Sequence, residues 1–161
     1  MSVGRFLGGI MALVREEENG RYLLLQRASS KDVGAGSWEC VTGRVDQGES
    51  FEDALYREVW EEIGVAPQVE FIIGTTHFHR GLAIPENELL GLAYACTIPT
   101  ANSIQIGEEH DAYHWLTVAE LVDFLPESHW LPRVVRRAEF MRQHWSPALQ
   151  DYFKERPFDL S

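Results

Sequence analysis

The segment from Phe51 to Ile63 constrains the fold of this chain more than any other part of the sequence. Ser50 precedes it and Asp53 follows three residues later, which is the spacing of a capping box at a helix N-terminus. Gly64 stands where a helix C-terminus favours glycine, and Pro67 cannot continue a helix. The sequence therefore predicts a helix with both ends defined.

The polar residues of this helix are distributed unusually. At about 100° per residue, its apolar residues fall on one arc of about 120° that should be buried: Phe51, Leu55, Val59 and Ile63. Glu58 and Glu62 fall within about 20° of Phe51, and Glu61 lies about 80° from it on the same side. Carboxylates at i,i+4 repel each other by about 0.2–0.5 kcal/mol even on a surface, and burial raises that cost.

A solvated acidic face is the alternative interpretation of these glutamates. Trp60 lies opposite them on the wheel, at about 180°, so the polar residues are not segregated as in an ordinary amphipathic helix. Arg57, four residues before Glu61, can form an ion pair with it. The pattern favours a divalent metal site over a solvated face.

The remaining sequence predicts strands before and after this helix. Strands are expected at Leu7 to Val14 and Arg21 to Arg27, joined through Asn19-Gly20 as a hairpin, and at Trp38 to Thr42, Val69 to Phe78, Leu89 to Ile98 and Ala112 to Leu116. A turn-rich connection is expected from Gly43 to Glu49. Helices are expected at 117–124 and about 130–144, followed by a tail at 146–161 that packs on the domain. No repeat or linker interrupts the 161 residues, which predicts a single α/β (α+β) domain over 1–161 with its C-terminal helix and packed tail at 128–161.

Charge and cysteine content narrow the class of protein. With 14 Lys and Arg against 25 Asp and Glu, the net charge of −11 argues against a general nucleic-acid binder and against adhesion to anionic lipid. A phosphate-bearing substrate would need a bridging cation, which a divalent metal supplies. Cys40 and Cys96 have no C-x-x-C spacing, and no apolar run approaches the roughly 20 residues that span a bilayer. We expect a cytoplasmic protein with no membrane segment.

The helix and the residues before it carry a specific motif. The spacing Gly43-x5-Glu49-x7-Arg57-Glu58-Val59-Trp60-Glu61-Glu62-Ile63-Gly64-Val65 fits G-x5-E-x7-R-E-U-x-E-E-x-G-U, where U is a bulky aliphatic residue. This is the complete Nudix box, and the chain resembles the Nudix hydrolase (MutT-like) family. The resemblance implies a mixed β-sheet sandwiched between helices. It also implies hydrolysis of a diphosphate linkage in a nucleoside diphosphate joined to another group.

The resemblance also assigns roles within the box. Glu58, Glu61 and Glu62 would bind Mg²⁺ or Mn²⁺, with the carbonyl of Gly43 as a further ligand. Glu49 and Arg57 would hold the geometry of loop and helix. Glu109, six residues before Trp115, is the expected general base, and Glu58 is the alternative.

Substrate recognition is less defined by the sequence. Arg27, Arg44, His79 and Arg80 are candidate contacts for phosphate or nucleobase, although strand alternation alone would place Phe78 inward and the histidines beside it outward. Many family members carry Pro-Gly-Gly where this chain has Val41-Thr42-Gly43-Arg44, so their substrates do not transfer directly. We expect a small nucleotide or related diphosphate as partner rather than a nucleic acid, and a homodimer is compatible with the resemblance.

Two other functions share this fold. A prenyl diphosphate isomerase would need an active-site cysteine with its own histidine metal ligands, and neither Cys40 nor Cys96 has that setting. A non-catalytic nucleotide-sensing module would be expected to lose box carboxylates, and this chain retains all of them.

Overall fold

A computed structural model describes residues 4–154 and 158–160. Its strands are β1 (Leu7–Glu16), β2 (Tyr22–Arg27), β3 (Trp38–Glu39), β4 (Val41–Val45), β5 (Gln68–His79), β6 (Glu88–Ile98) and β7 (His110–Leu116). Its helices are α1 (Phe51–Ile63), α2 (Val118–Phe124), α3 (Leu131–His144) and α4 (Pro147–Lys154), and short 3₁₀ turns lie at Pro85–Asn87 and Ala101–Ser103.

All seven strands form one mixed sheet around β1. β1 pairs in parallel with β6 from end to end, and antiparallel with β4 through Gly8 to Ala12. Near its other end β1 meets β2 antiparallel, at Arg15 and Tyr22, which confirms the predicted hairpin. Of the Asn19-Gly20 pair, only Gly20 adopts positive φ, at 72°. β2 also pairs with β3 and β7, and β5 forms the outer edge beside β6.

Helices cover both faces of this sheet, because the buried strands direct alternate side chains to opposite faces. Ile10, Ala12 and Val14 of β1 belong to the core beneath α1, whereas Leu13 belongs to the core beneath α2 and α3. The two cores are thus separated by the sheet. The expected sandwich of a mixed sheet between helices is confirmed.

The predicted loop after Thr42 is partly wrong. Residues 41–45 form β4, and Gly43 pairs with Ile10 of β1 inside the ladder rather than beginning a turn. The single strand expected from Trp38 to Thr42 is two short strands, β3 and β4, that pair with different neighbours. The edge of β1 would otherwise leave backbone N–H and C=O groups without partners, and β4 satisfies them.

Helix α1 has the predicted bounds but a slightly different buried face. Leu55, Val59 and Ile63 are fully buried, whereas Phe51 is 37% exposed and does not belong to the stripe as expected. Glu52 takes the inward position in the first turn, where its carboxylate accepts the backbone N–H of Phe158. Trp60 is 62% exposed, opposite the core, as predicted.

The described part of the C-terminal region contacts the sheet and contains a helix that the sequence did not predict. α4 follows α3 directly, and Trp145 between them contacts Phe71 of β5 with ring centroids 5.0 Å apart. Phe153 of α4 stacks on Phe158 at 4.5 Å. The other tail residues, 155–157 and 161, lie outside the described residues. Within the described part of the chain, no helix combines the length and apolar character needed to span a bilayer.

Candidate active site

Helix α1 is capped at both ends and directs side chains of the box toward β4. The Ser50 side chain accepts the Asp53 N–H and the Asp53 side chain accepts the Ser50 N–H, which is the predicted capping box. Gly64 ends the helix in the left-handed region at φ 68°, with its N–H donating to the carbonyl of Trp60. Because both ends are fixed and Val59 is buried beneath the sheet, the neighbouring Glu58 is directed at β4.

Gly43 lets the Glu58 carboxylate lie directly against the backbone of β4. A Cβ atom at position 43 would stand 2.0 Å from Cδ and 2.3 Å from Oε1 of Glu58. Atoms cannot approach so closely, so any other residue at this position would displace the carboxylate. The glycine of the box is needed for a close approach and not for a turn.

Arg57 is the centre of the ion-pair network in the box. Its Nε and Nη2 donate to the two carboxylate oxygens of Glu49 at 2.7 and 2.8 Å, a bidentate pair. Its Nη1 donates to Glu58 at 2.8 Å and to Glu61 at 3.3 Å, and Nη2 also donates to the carbonyl of Arg44 at 2.9 Å. Hydrogen bonding to Arg57 lowers the pKa of Glu49 to about 2. The predicted bracing role of Glu49 and Arg57 therefore has a direct geometric basis.

Glu62 is a buried carboxylate without enough partners. Its side chain is almost completely buried, and its Oε2 has no hydrogen-bond partner among the described residues. Burial, followed by the charges of Glu39 and Glu58, raises the pKa of Glu62 well above its ordinary value. Burial also raises the pKa of Glu58, against the opposing hydrogen bond from Arg57. Both shifts indicate negative charge that the protein itself does not fully compensate.

A divalent cation fits this chemistry. Carboxylate oxygens are the ligands that Mg²⁺ prefers, and Oε2 of Glu62 has no hydrogen-bond partner among the described residues. The three box glutamates are not gathered at one point, however: within residues 4–154 and 158–160, no group of three or more His, Cys, Asp or Glu side chains is arranged to hold a metal. Arg57 Nη1 lies between Glu58 and Glu61 and supplies positive charge there.

His110 and Glu39 are site residues that the sequence reasoning missed. The Nε2 atom of His110 lies 3.5 Å from Oε1 of Glu39 and 3.7 Å from Oε2 of Glu62, and all three side chains are buried. The strand register explains the cluster, because Glu39 of β3 pairs with β2 at Leu25 and His110 of β7 pairs with β2 at Arg27. The signal in the sequence was a charged residue, Glu39, inside an otherwise apolar run.

Glu109 lies at the same cavity as the box, on the turn before β7. A cavity of about 470 Å³ is lined by Glu109 together with Gly43, Arg44, Glu58 and Glu61. Lys31 contacts the Glu109 carboxylate at 2.7 Å, and this hydrogen bond lowers the pKa of Glu109.

The loop that carries Glu109 is fastened to α1. The N–H of Gly107 donates to the carbonyl of Glu62 at 2.9 Å, and that of Gln105 donates to Ile63 at 3.0 Å. A Cβ atom at Gly107 would stand 2.9 Å from the carbonyl oxygen of Glu61, so glycine permits this close approach. The loop thereby brings Glu109 to the cavity beside the end of the helix.

The candidate substrate residues line two adjoining cavities. Arg27 and Arg80 line both the cavity at the box and a second cavity of about 960 Å³, Arg44 lines only the first and His79 only the second. Arg27 Nη1 pairs with Glu39 at 2.9 Å. Phe78 is 43% exposed and lines both cavities, so the expectation that it points into the core is wrong. It is the second-last residue of β5.

Comparison with known proteins identifies the family. A family model described as the NUDIX domain matches residues 6–138. The chain belongs to the Nudix family. The match extends well beyond the box and includes every strand of the sheet.

Curated relatives of this Nudix protein carry several names. It is 31% identical over 118 residues to an octanoyltransferase of Myxococcus xanthus, a match that covers 73% of this chain and 32% of that protein. It is 26% identical over 144 residues to an RNA pyrophosphohydrolase of Psychrobacter cryohalolentis, covering 80% and 76%. It is 29% identical over 116 residues to the nucleoside triphosphatase NudI of Escherichia coli, covering 67% and 81%. The chain thus spans about a third of the first relative and about three quarters or more of the other two.

Solved structures show the same fold. The MutT protein from Methanosarcina mazei Go1 superimposes with a TM-score of 0.69 at 23% identity, covering 91% of this chain and all of that one. The Escherichia coli dihydroneopterin triphosphate pyrophosphohydrolase gives a TM-score of 0.65 at 22% identity, covering 88% and 99%. The Nudix fold expected from the box is thereby confirmed.

Proposed function

We propose that this Nudix protein is a Mg²⁺-dependent pyrophosphohydrolase that cleaves a diphosphate linkage in a nucleotide-type substrate. The observation that carries the proposal is the placement of two box glutamates, Glu58 at the cavity and Glu62 buried beneath it. Glu58 lies against Gly43, Glu62 is buried with an unpartnered oxygen, and both have raised pKa values. Relatives named RNA pyrophosphohydrolase and nucleoside triphosphatase support the same class of reaction.

The box residues have separate roles in the proposed reaction. Glu58, Glu61 and Glu62 would hold the metal, with the Gly43 carbonyl as a further ligand. Mg²⁺ supplies Lewis-acid stabilisation of phosphate charge and an acidified water. Arg57 of α1 would keep the helix in a fixed position relative to β4, because its guanidinium donates to the carbonyl of Arg44 in β4 and to Glu49 in the connecting loop.

Glu58 and Glu109 are the two candidates for the general base. An efficient base has a pKa near the working pH. Burial raises the pKa of Glu58 toward that range, whereas Lys31 lowers the pKa of Glu109 away from it. A cation bound to Glu58 would lower its pKa again, so both residues stay candidates for the proton acceptor, and Glu109 lines the same cavity as Glu58.

Cationic side chains that line the cavity would bind the substrate phosphates. These are Arg27, Arg80 and Arg44, of which Arg44 lies exposed in β4. Guanidinium groups bind phosphate oxygens with paired hydrogen bonds. They would supply positive charge that an acidic chain otherwise lacks.

Two alternative functions were open from the sequence. The isomerase needs a reactive cysteine, but Cys40 and Cys96 are both buried and burial raises the pKa of both thiols. The sensing module remains compatible with the fold, and turnover separates it from an enzyme.

The test is a substrate panel assayed for phosphate and pyrophosphate release with and without Mg²⁺. It should contain nucleoside triphosphates, oxidised nucleotides, nucleotide sugars, dinucleoside polyphosphates and a 5′-triphosphorylated RNA oligonucleotide. Metal-dependent release from a small-molecule subset is the expected result. Release from the oligonucleotide alone would contradict the small-molecule assignment.

A further inference from the structure

The second cavity, about 960 Å³ in volume, lies beside the box and is lined by a concentration of positive charge. Its arginines come from three elements: Arg27 from β2, Arg80 from the loop after β5, and Arg133 and Arg137 from α3. The acidic residue on its wall is Glu39, which is paired with Arg27 at 2.9 Å. In a chain with 25 acidic and 14 basic residues, such a surface is not expected by composition.

Arg133 and Arg137 have no anionic partner. They stand at i,i+4 on α3, and neither forms a salt bridge or side-chain hydrogen bond with any described residue. Arg142 on the same helix is different, because it pairs with Glu70 at 2.5 Å and with Glu139 at 2.7 Å. Both side chains are exposed, and two like charges at this spacing on a helix are mildly destabilising.

The sheet leaves room for one of these guanidinium groups. A Cβ atom at Gly74 of β5 would stand 3.0 Å from Nη1 of Arg137, closer than side chains normally approach. The missing side chain therefore lets Arg137 extend over the strand into the cavity. Trp130, one turn before Arg133, and the exposed Phe78 supply aromatic surface to the same cavity.

Resting on the hydrolase function proposed above, we infer that Arg133 and Arg137 bind a second phosphate of the substrate, remote from the diphosphate that is cleaved. The substrate class is then a small nucleotide that carries a further phosphate on its sugar. Arg27 and Arg80 line both cavities, so one ligand can reach from the box to α3. An uncharged nucleobase alone would give the two unpaired guanidinium groups no counter-charge.

The test compares the affinities of adenosine 3′,5′-bisphosphate and AMP by titration calorimetry in the presence of Mg²⁺ and at fixed salt. The wild-type protein should bind the bisphosphate about tenfold or more tightly than AMP, as expected for charge-assisted hydrogen bonds to one phosphate. The ratio of the two affinities should fall toward one in the double variant Arg133→Gln/Arg137→Gln.

Arg136→Gln is the matched control. It removes the same charge from the same helix, but Arg136 does not line the cavity, so the ratio should stay as in the wild type. A wild-type ratio near one, a ratio that the double variant preserves, or an equal loss in Arg136→Gln would overturn the inference.

A kinetic comparison separates this inference from the proposed function and identifies the source of the phosphate. Its substrates are a nucleoside 5′-triphosphate, the same compound with a 3′-phosphate, and a 5′-triphosphorylated RNA oligonucleotide. A higher kcat/KM for the 3′-phosphorylated nucleotide that depends on Arg133 and Arg137 supports the inference. An arginine-dependent preference for the oligonucleotide over that nucleotide overturns the small-nucleotide class. Binding that behaves as predicted without hydrolysis of any compound supports the phosphate site and contradicts the hydrolase.

Discussion

Replacing Gly43 with alanine should separate activity from stability in this protein. The new Cβ would stand 2.0 Å from Cδ and 2.2 Å from Cγ of Glu58. Since the clashing atoms belong to the end of a flexible side chain, Glu58 can rotate away without moving β4. The carboxylate would then leave its place against the strand and beside Arg57.

The magnitudes of the two effects differ. An alanine for a glycine at a permitted backbone conformation stabilises a protein by about 0.4–1 kcal/mol through the unfolded state. Gly43 has no positive φ, so this gain is available to offset the displacement of Glu58. We expect the free energy of unfolding to change by less than about 1 kcal/mol. A catalytic group misplaced by about 1 Å lowers the rate about 100-fold, equivalent to about 2.7 kcal/mol of barrier.

The assay is a double-mutant cycle with Gly43→Ala, Glu58→Ala and the variant carrying both. We would measure kcat/KM on the best substrate of the panel and the free energy of unfolding in urea. If the glycine acts through Glu58, adding Gly43→Ala to the Glu58→Ala background should have almost no further effect on kcat/KM. Additive losses, or a Gly43→Ala protein with wild-type kcat/KM, would refute the close-approach explanation of this glycine.

Three further substitutions test other parts of the site. Glu62→Gln should abolish turnover without lowering the free energy of unfolding of the metal-free protein at pH 7, because a neutral amide replaces a buried carboxylate whose pKa is raised. Near-wild-type turnover with a normal circular-dichroism spectrum would exclude Glu62 from the mechanism. Arg57 lowers the pKa of Glu49 to about 2, so their ion pair stabilises the protein fully above pH 4.5, and this stabilisation is lost as the pH falls toward 2. The free energy of unfolding should therefore drop less between pH 6 and pH 3 in Glu49→Gln than in the wild type. An equal drop in both proteins would contradict the pairing. Glu109→Gln should lower kcat less than tenfold if Glu58 is the base, and a loss as large as that of Glu58→Gln in single-turnover assays would instead assign the base to Glu109.

The sequence predicted the elements whose limits are set locally. Helix α1 has the predicted bounds because a capping box begins it and a left-handed glycine ends it. Helical periodicity correctly placed Leu55, Val59 and Ile63 on the buried side of this helix, whereas Phe51 is partly exposed. The arrangement of strands around the box followed from apolar runs and from the resemblance to the family.

The features that the sequence did not predict depend on contacts between distant residues. β4 continues through Gly43 because β1 offers it unpaired backbone groups, which no local pattern reveals. Helix α4 is the exception, because its start carries a local signal that was overlooked: Ser146 Oγ accepts the Leu149 N–H at 3.2 Å and Pro147 opens the helix. Contacts of Phe153 with Trp145 and Phe158 then hold it on the domain. The cluster of Glu39, His110 and Glu62 forms only where β3, β2 and β7 meet α1.

The central claim is that the box glutamates make this chain a metal-dependent hydrolase of diphosphate linkages. It is tested most directly by measuring phosphate and pyrophosphate release from the nucleotide panel with and without Mg²⁺, alongside Glu62→Gln. We predict release that requires Mg²⁺, is confined to one or two compounds and disappears in Glu62→Gln. No release from any compound by protein that demonstrably binds Mg²⁺ would contradict the claim and favour a nucleotide-sensing module.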